Sequence, residues 1–514
     1  MTEQAFDTEV AIIGYGPSGV AAANSLGSRG VRAIAFERNK DIYGRARAVT
    51  MNDVTLRSFQ SVGIADALVA DMDETYALRT KTYSGEEFNR VVFPRRGPLG
   101  YATSYSIYQP VMEQTMRDGA ARHADHVEVR YGIEVTTIEQ DANGVTITLK
   151  DIASGELSTV RARYALACDG GSSGVREQLG IELLGDTLET RWVIIDAFVK
   201  RWWPDRHVLT FWSDKLRPAV DIALSLGTHR WELPLQPGED ESSFDTHEKL
   251  WALLESFGVS REDVELHQHA FYYHHVRRAE RWREGRIFLI GDAAHLMPPW
   301  AGQGMQSGIR DSFNLCWKLA EVLYGRMPDA VLSTYEPERW PDVERYTRLS
   351  FELGRIVKQE LSEEEMAAMA PKPGEAPPEP PLLVHPKLVA GWVRGDTGDD
   401  SIVGKYIPQP RMITTNGKIL LLDVAIGNGF TLLGDNVDPR DVLSESQRAA
   451  WDALGATCRA VRSPENGSEG VDDLIDFEQV IVPWMRRYGA KVIALRPDRF
   501  VAASDTGGLD LPTA

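Results

Sequence analysis

Residues 9–38 read EVAIIGYGPSGVAAANSLGSRGVRAIAFER, and this stretch decides the fold. A short apolar run, Val10 to Ile13, leads into Gly14-x-Gly16-x-x-Gly19. A helix of small residues follows, through Ala21, Ala22, Ala23 and Leu26. A second apolar run, Val31 to Phe36, then ends at Glu37, about 20 positions past the last glycine. Strand, tight turn, helix, strand and acid is the order of a dinucleotide-binding βαβ unit. Gly14 permits the sharp turn, Gly16 lets a pyrophosphate approach the backbone, and Gly19 lets helix and strand pack closely. The helix N-terminus offers free N–H groups to phosphates. Glu37 can accept hydrogen bonds from ribose hydroxyls.

The chain has 514 residues, enough for two or three domains. A formal net charge of −19 argues against a nucleic-acid or anionic-membrane surface. The N-terminus has no basic and apolar leader pattern, and no apolar run is long enough for a membrane span. Cys168, Cys316 and Cys458 form no CxxC, which fits a reduced cytoplasmic setting. No metal site is read.

Downstream, Gly44 to Val49 (GRARAV) carries Arg45 and Arg47, two apart on an extended segment that could face a phosphate or solvent. Gln109 opens a helix with Pro110 at an early position. Tyr164 to Cys168 is a short buried strand running into Asp169-Gly170 and on to Arg176, a second turn that could serve a phosphate or ribose. Thr190 to Val276 is strand-like and rich in large aromatics, as expected of an antiparallel sheet. Its polar candidates are Arg217, His229, His274 and His275. Arg286 to Ile290 is a strand that feeds Gly291-Asp292, then Pro298-Pro299 and Gly302-Gln303-Gly304, and a helix with apolar residues at helical spacing from Ile309 to Leu323. That helix start would stabilise negative charge, such as that on a reduced flavin. Glu360 to Pro386 reads as an extended connector. Beyond it a small α/β domain is expected, with Lys418 to Val424 and Val480 to Val482 among its strands.

Three motifs thus stand in one order: Gly14-x-Gly16-x-x-Gly19 with Glu37, Asp169-Gly170 with Arg176, and Gly291-Asp292 with Pro298-Pro299. Together they resemble the single-component flavoprotein aromatic hydroxylases, the class A FAD monooxygenases. The ending, with Pro408 to Pro410 and Ala494 to Ala503, is similar to the thioredoxin-like C-terminal domain of the phenol hydroxylase branch. Within that branch the chain resembles the 3-(3-hydroxyphenyl)propionate hydroxylases, although Phe211 to Glu239 departs from their pattern. The resemblance implies an α/β fold. Residues 1–185 and 281–359 would form a Rossmann-like FAD-binding domain. Residues 186–280 would be an inserted antiparallel substrate sheet, 360–400 a connector, and 401–514 the thioredoxin-like domain.

It further implies that Gly14, Gly16, Gly19, Glu37, Arg38, Arg47, Gln109, Asp169 and Asp292 contact FAD. Pro299, Gly302, Gly304 and Met305 would lie against the isoalloxazine, and Arg45 is a candidate for the phosphate or the nicotinamide cofactor. NADH or NADPH would reduce FAD, O2 would add at the flavin C4a, and the terminal oxygen would attack a phenolic ring. Candidates for the chemistry are His274, Tyr272 and Pro299; candidates for substrate contact are Arg217, Trp212, Tyr272 and Pro298. Along a strand only every second residue of Tyr272 to His275 faces inward, so these are not ranked. The expected partners are a small aromatic substrate, O2 and NAD(P)H, with no nucleic acid or membrane, and a homodimer is left open. Alternatives are hydroxylation, epoxidation or Baeyer–Villiger oxidation of a larger polyketide or antibiotic substrate, halogenation (against which the absence of WxWxIP stands) and a non-catalytic flavin sensor.

Overall fold

A computed structural model describes residues 5–362, 364–365, 379–467 and 470–513. The first strand, Thr8–Ile13, lies at the centre of a parallel sheet, between Ala33–Glu37 and Leu157–Ala167. Val127–Tyr131 and Ile287–Leu289 extend the sheet on its two sides. Alanine, valine and isoleucine fill these strands because both faces are covered. In register, Ile13 stands opposite Phe36 and Ala167, and Ala167 opposite Leu289. The loops leaving these strand ends carry Gly14, Asp169 and Asp292, so three motifs far apart in sequence meet at one sheet edge.

The helix Pro17–Gly27 follows the first turn and packs against the long helix Gly304–Leu323. Small residues set that approach. A Cβ on Gly308 would stand 2.4 Å from Ser18 Oγ, and one on Gly291 2.5 Å from the same atom. Ser312 Oγ donates to the Ser18 carbonyl at 2.8 Å.

A second, eight-stranded sheet centres on the long strands Leu183–Val199 and Val264–Ala279, with Thr228–Pro234, Ala219–Ala223 and Leu209–Trp212 beside them. It is not wholly antiparallel. Leu209–Trp212 pairs in parallel with Ala77–Lys81, which with Glu87–Val92 comes from the stretch read as the first part of the nucleotide unit. One face packs Trp231, Leu233 and Val193 against the helix His247–Leu254. The other face, with Trp192, Phe211, Val220 and Ile222, turns toward Trp300 and Val357.

The C-terminal unit is a seven-stranded sheet around Met412, Leu433, Val461, Ile493 and Val501. Two stretches expected to be strands differ. Ile419–Leu421 is a strand, but Leu422–Ile426 is a helix. Val480 caps a helix, Ile481–Arg487, because the Asp476 carboxylate accepts from the amides of Val480 (3.0 Å) and Val482 (2.9 Å). Buried ion pairs dock this unit. Arg57 reaches both Asp423 oxygens at 2.7 Å, and Glu338 binds Arg496 at 2.6 Å and Lys318 at 2.7 Å. No helix among the described residues is long and apolar enough to cross a membrane.

Candidate active site

Gly14 takes a positive φ of 90°, and a Cβ there would lie 2.4 Å from the Cys168 carbonyl oxygen. A Cβ on Gly19 would lie 2.1 Å from the Gly14 carbonyl oxygen. Gly16 is different: nothing stands within 4 Å of its added Cβ, leaving room where a pyrophosphate would approach. Glu37 accepts from the amides of Tyr15 and Asn39, both at 2.8 Å, which fixes its carboxylate beside the turn. Gln109 accepts from the amides of Arg47 (2.7 Å) and Ala48 (2.8 Å), so it holds the loop that carries Arg47.

Asp169 Oδ2 accepts from the Val175 amide at 3.1 Å, while Oδ1 is buried with no protein partner. Burial raises this carboxyl's pKa against its hydrogen bonds. Arg176 is not free for a phosphate. Its guanidinium donates to the carbonyls of Ala293 (3.1 Å) and Gly171 (3.0 Å), stapling the Asp-Gly turn to the Gly-Asp turn. Asp311 fixes the latter from below, accepting from the Gly291 amide (3.2 Å), His295 Nε2 (2.7 Å) and Arg339 Nε (2.8 Å). Asp292 is left exposed on the cavity wall.

These turns open on one cavity of about 310 Å3. Its lining joins Gly16, Arg47, Gln109, Asp292 and the segment Leu296 to Gln306 to Leu78, Phe93, Phe211, Val220, Ile222 and Glu232. Pro298, Pro299, Gly302, Gly304 and Met305 therefore all reach the cavity. Their turn is pinned by Ser350, whose hydroxyl donates to the Pro298 carbonyl at 2.6 Å. The 20-residue helix beginning at Gly304 has no acid in its first turn, so its free N–H groups and positive potential meet the cavity. A dinucleotide with an anionic edge fits these residues: room at Gly16, an orphaned buried oxygen on Asp169 and an uncapped long-helix start.

Several expected residues lie elsewhere. Trp212 alternates with Phe211 and so points to the opposite face of the sheet, stacked on Tyr83 and donating to Asp221. Arg217 is held outside the cavity by Glu239 and stacks over Phe244. His229, fully buried, pairs with Asp221 at 2.7 Å on that far side. Arg38 and Arg45 are exposed and, like Glu37 and Asp169, are not part of the cavity lining. His275 bonds Thr187, whereas Tyr272 and His274 share the inward face. His274 does not itself line the cavity. It stacks on Trp192 at 5.1 Å and meets Trp300 edge-on, and burial pushes its pKa down to about 3.

Glu232 was missed. It lines the cavity, is 6% exposed, and accepts from the Tyr272 hydroxyl at 2.8 Å. Two residues away, Arg230 pairs with both Asp196 oxygens at 2.6 and 2.8 Å and donates to the backbone of the Arg47 loop. The strand Thr228–Pro234 is mixed in sequence but buried along its whole length, so its sequence alone carries no signal for Glu232.

Comparison with known proteins places this geometry. Residues 7–350 match the family described as FAD binding domain, and residues 404–510 match the HcaD C-terminal domain. The chain is 37% identical to the 3-(3-hydroxy-phenyl)propionate/3-hydroxycinnamic acid hydroxylase 2 of Burkholderia vietnamiensis, over 99% of this chain and 95% of that one. It is 32% identical to the correspondingly named Escherichia coli hydroxylase, over 96% and 91% of the two chains. Its fold is similar to that of aklavinone-11 hydroxylase, solved with FAD and aklavinone, with a TM-score of 0.79 and 24% identity over 99% and 97% of the chains. The match to the FAD-binding family over most of the chain, and to these relatives over nearly all of it, settles the assignment: the chain belongs to the FAD-dependent aromatic hydroxylases.

Proposed function

We propose that the protein uses NADH or NADPH and O2 to hydroxylate a phenolic ring, with a 3-hydroxyphenyl acid of the kind named for its relatives as the first substrate to try. The observation that carries this reading is the single cavity joining the flavin-type turns to an apolar wall. Bound FAD would store the reducing equivalents and activate O2. Gly16, Glu37, Asp169 and Asp292 would hold it, with Gln109 positioning Arg47 toward its phosphates. The start of the helix Gly304–Leu323 would stabilise negative charge at its reactive edge. Phe211, Val220, Ile222 and Trp300 would keep water from the reacting atoms.

The space must take the reactive end of a flavin as well as the substrate, which favours a single ring over a fused polycyclic system. His274, kept neutral by burial and off the cavity wall, packs Trp300 rather than moving a proton. The three cysteines are free, which suits a reducing compartment. The test is a screen of phenolic acids and neutral phenols for stimulated NADH and NADPH oxidation, with hydroxylated product and H2O2 both counted. Stimulated oxidation that yields product supports the reading. Oxidation that no phenol stimulates contradicts it.

A further inference from the structure

We infer that Glu232 receives the ring hydroxyl of the substrate and takes its proton. This rests on the reading of the protein as a phenol hydroxylase, and it names the residue at that site which meets the reacting group. Glu232 sits opposite Val220 on one neighbouring strand and Ile194 on the other, in a wall of aliphatic and aromatic side chains. A carboxylate in such a wall is costly unless something holds it. Structural pairing accounts for only part of it. Arg230 is already committed to both Asp196 oxygens and stands 3.6 Å from Glu232 Oε1, beyond hydrogen-bond reach. Tyr272 occupies Oε2. Oε1 thus has only the longer ion pair with Arg230, on a residue that lines the cavity.

Among the described residues no imidazole lines the cavity, and its other carboxylate is Asp292 at the flavin end. The one guanidinium on the wall belongs to Arg47, which Gln109 holds and whose backbone carbonyl accepts from Arg230 Nη1 at 3.4 Å. A ring hydroxyl is the group that Glu232 accommodates, as a donor to Oε1. An acid tail would be repelled by the Glu232 carboxylate, so it points away from it. The charged and titratable groups facing Glu232 are Arg230, Tyr272 and, behind Arg230, Asp196. Burial raises the Glu232 carboxyl above its ordinary value, and Arg230 and the Tyr272 hydroxyl only partly oppose this. Its basicity is thereby brought closer to that of a phenol. In the step itself the phenolic O–H bond breaks, the proton passes to Glu232 Oε1, and the electron pair stays on the ring oxygen. Nothing is oxidised or reduced in this step. The ring carbons ortho and para to that oxygen become richer in electrons, ready for the oxygen atom that the flavin reaction delivers. Tyr272 is a positioning residue, fixing the carboxylate through Oε2.

The test uses the FAD-loaded full chain, with 3-(3-hydroxyphenyl)propionate and its O-methyl ether as probes. Glu232→Gln keeps the shape, and Arg230 retains Asp196, so flavin content should be unchanged. Product formation should fall about 100-fold or more, with H2O2 rising in its place. The wild-type rate should decline toward acid pH as Glu232 takes up a proton, and the variant should lack that limb. By calorimetry the wild type should bind the phenol about tenfold more tightly than the ether, and the variant should bind them alike. Tyr272→Phe removes a donor to the carboxylate, so its acid limb should move to higher pH; this variant carries the test if Glu232→Gln does not fold. Wild-type product rates with the acid limb intact in Glu232→Gln, or an unmoved limb in Tyr272→Phe, would overturn the assignment. A wild type that turns over no phenol overturns the phenol hydroxylase reading itself, and the role of Glu232 with it.

Discussion

The carbonyl oxygen of Gly14 lies 2.1 Å from where a Cβ on Gly19 would stand. The first turn and the helix after it are thus in contact with no space for a methyl group, and the pyrophosphate cradle depends on that closeness. Gly19→Ala should push the helix Pro17–Gly27 outward, at a cost of about 1–3 kcal/mol. FAD per purified chain and the melting temperature should both fall. Full flavin content with an unchanged Tm would show that the turn is looser than described.

Asp292 is the exposed acid at the end of the Gly-Asp turn, while Asp311 beneath it is wholly buried and bonded to His295 and Arg339. The two should separate on substitution. Asp292→Ala should weaken FAD binding about tenfold or more, the loss of one charge-assisted hydrogen bond, with little change in apoprotein stability. Asp311→Ala should destabilise the apoprotein itself. Equilibrium dialysis of FAD alongside thermal melts reads both.

Glu338 joins the two helices behind the flavin site to the C-terminal unit through Lys318 and Arg496. Burial alone would raise its pKa, but Arg496 and Lys318 hold it well below the usual carboxylate range. A depressed folded-state pKa gives stability that is present above the unfolded value, about 4.3, and is lost as pH falls below it. Glu338→Gln should cost about 3–5 kcal/mol near neutrality, because buried Lys318 loses its carboxylate and Arg496 keeps only Asp498. Its Tm should also depend less on pH below about 4 than that of the wild type. Equal acid slopes would contradict the pairing.

His274 stays neutral when folded, pushed down to about 3 chiefly by burial, and regains its ordinary basicity when unfolded. The unfolded chain therefore binds the extra proton between about pH 6.5 and pH 3, so stability is lost as pH falls through that window. His274→Phe preserves the stack between Trp192 and Trp300 and removes the proton site. Melting curves from pH 7 to pH 4 should show a smaller fall in Tm for the variant than for the wild type.

Much of the cofactor end was legible because it depends on local backbone demands. Gly14 and Gly19 are read from spacing, and the turns at Asp169 and Asp292 from strand-to-helix order. The substrate end depends on which way a strand faces, which the pattern around Phe211-Trp212 leaves undecided when both residues are large and apolar. The fold resolves it by alternation, with Phe211 inward and Trp212 outward. Glu232 escaped notice because a glutamate in a strand ordinarily marks the solvent side. Its strand is covered on both faces, and that follows only from long-range pairing, including the strand Ala77–Lys81 far upstream. Arg176 resembles a phosphate ligand in sequence. Only the approach of Ala293, more than a hundred residues later, turns it into a staple.

The account stands on one cavity that holds FAD at one end and a phenol beside it. The most direct measurement is the visible spectrum of the protein after reconstitution with FAD, followed during titration with a phenolic acid. The account predicts one tightly held FAD per chain, with flavin bands that shift saturably as the phenol fills the cavity. A protein that stays colourless after reconstitution, or a bound flavin whose bands no phenol perturbs, would contradict it.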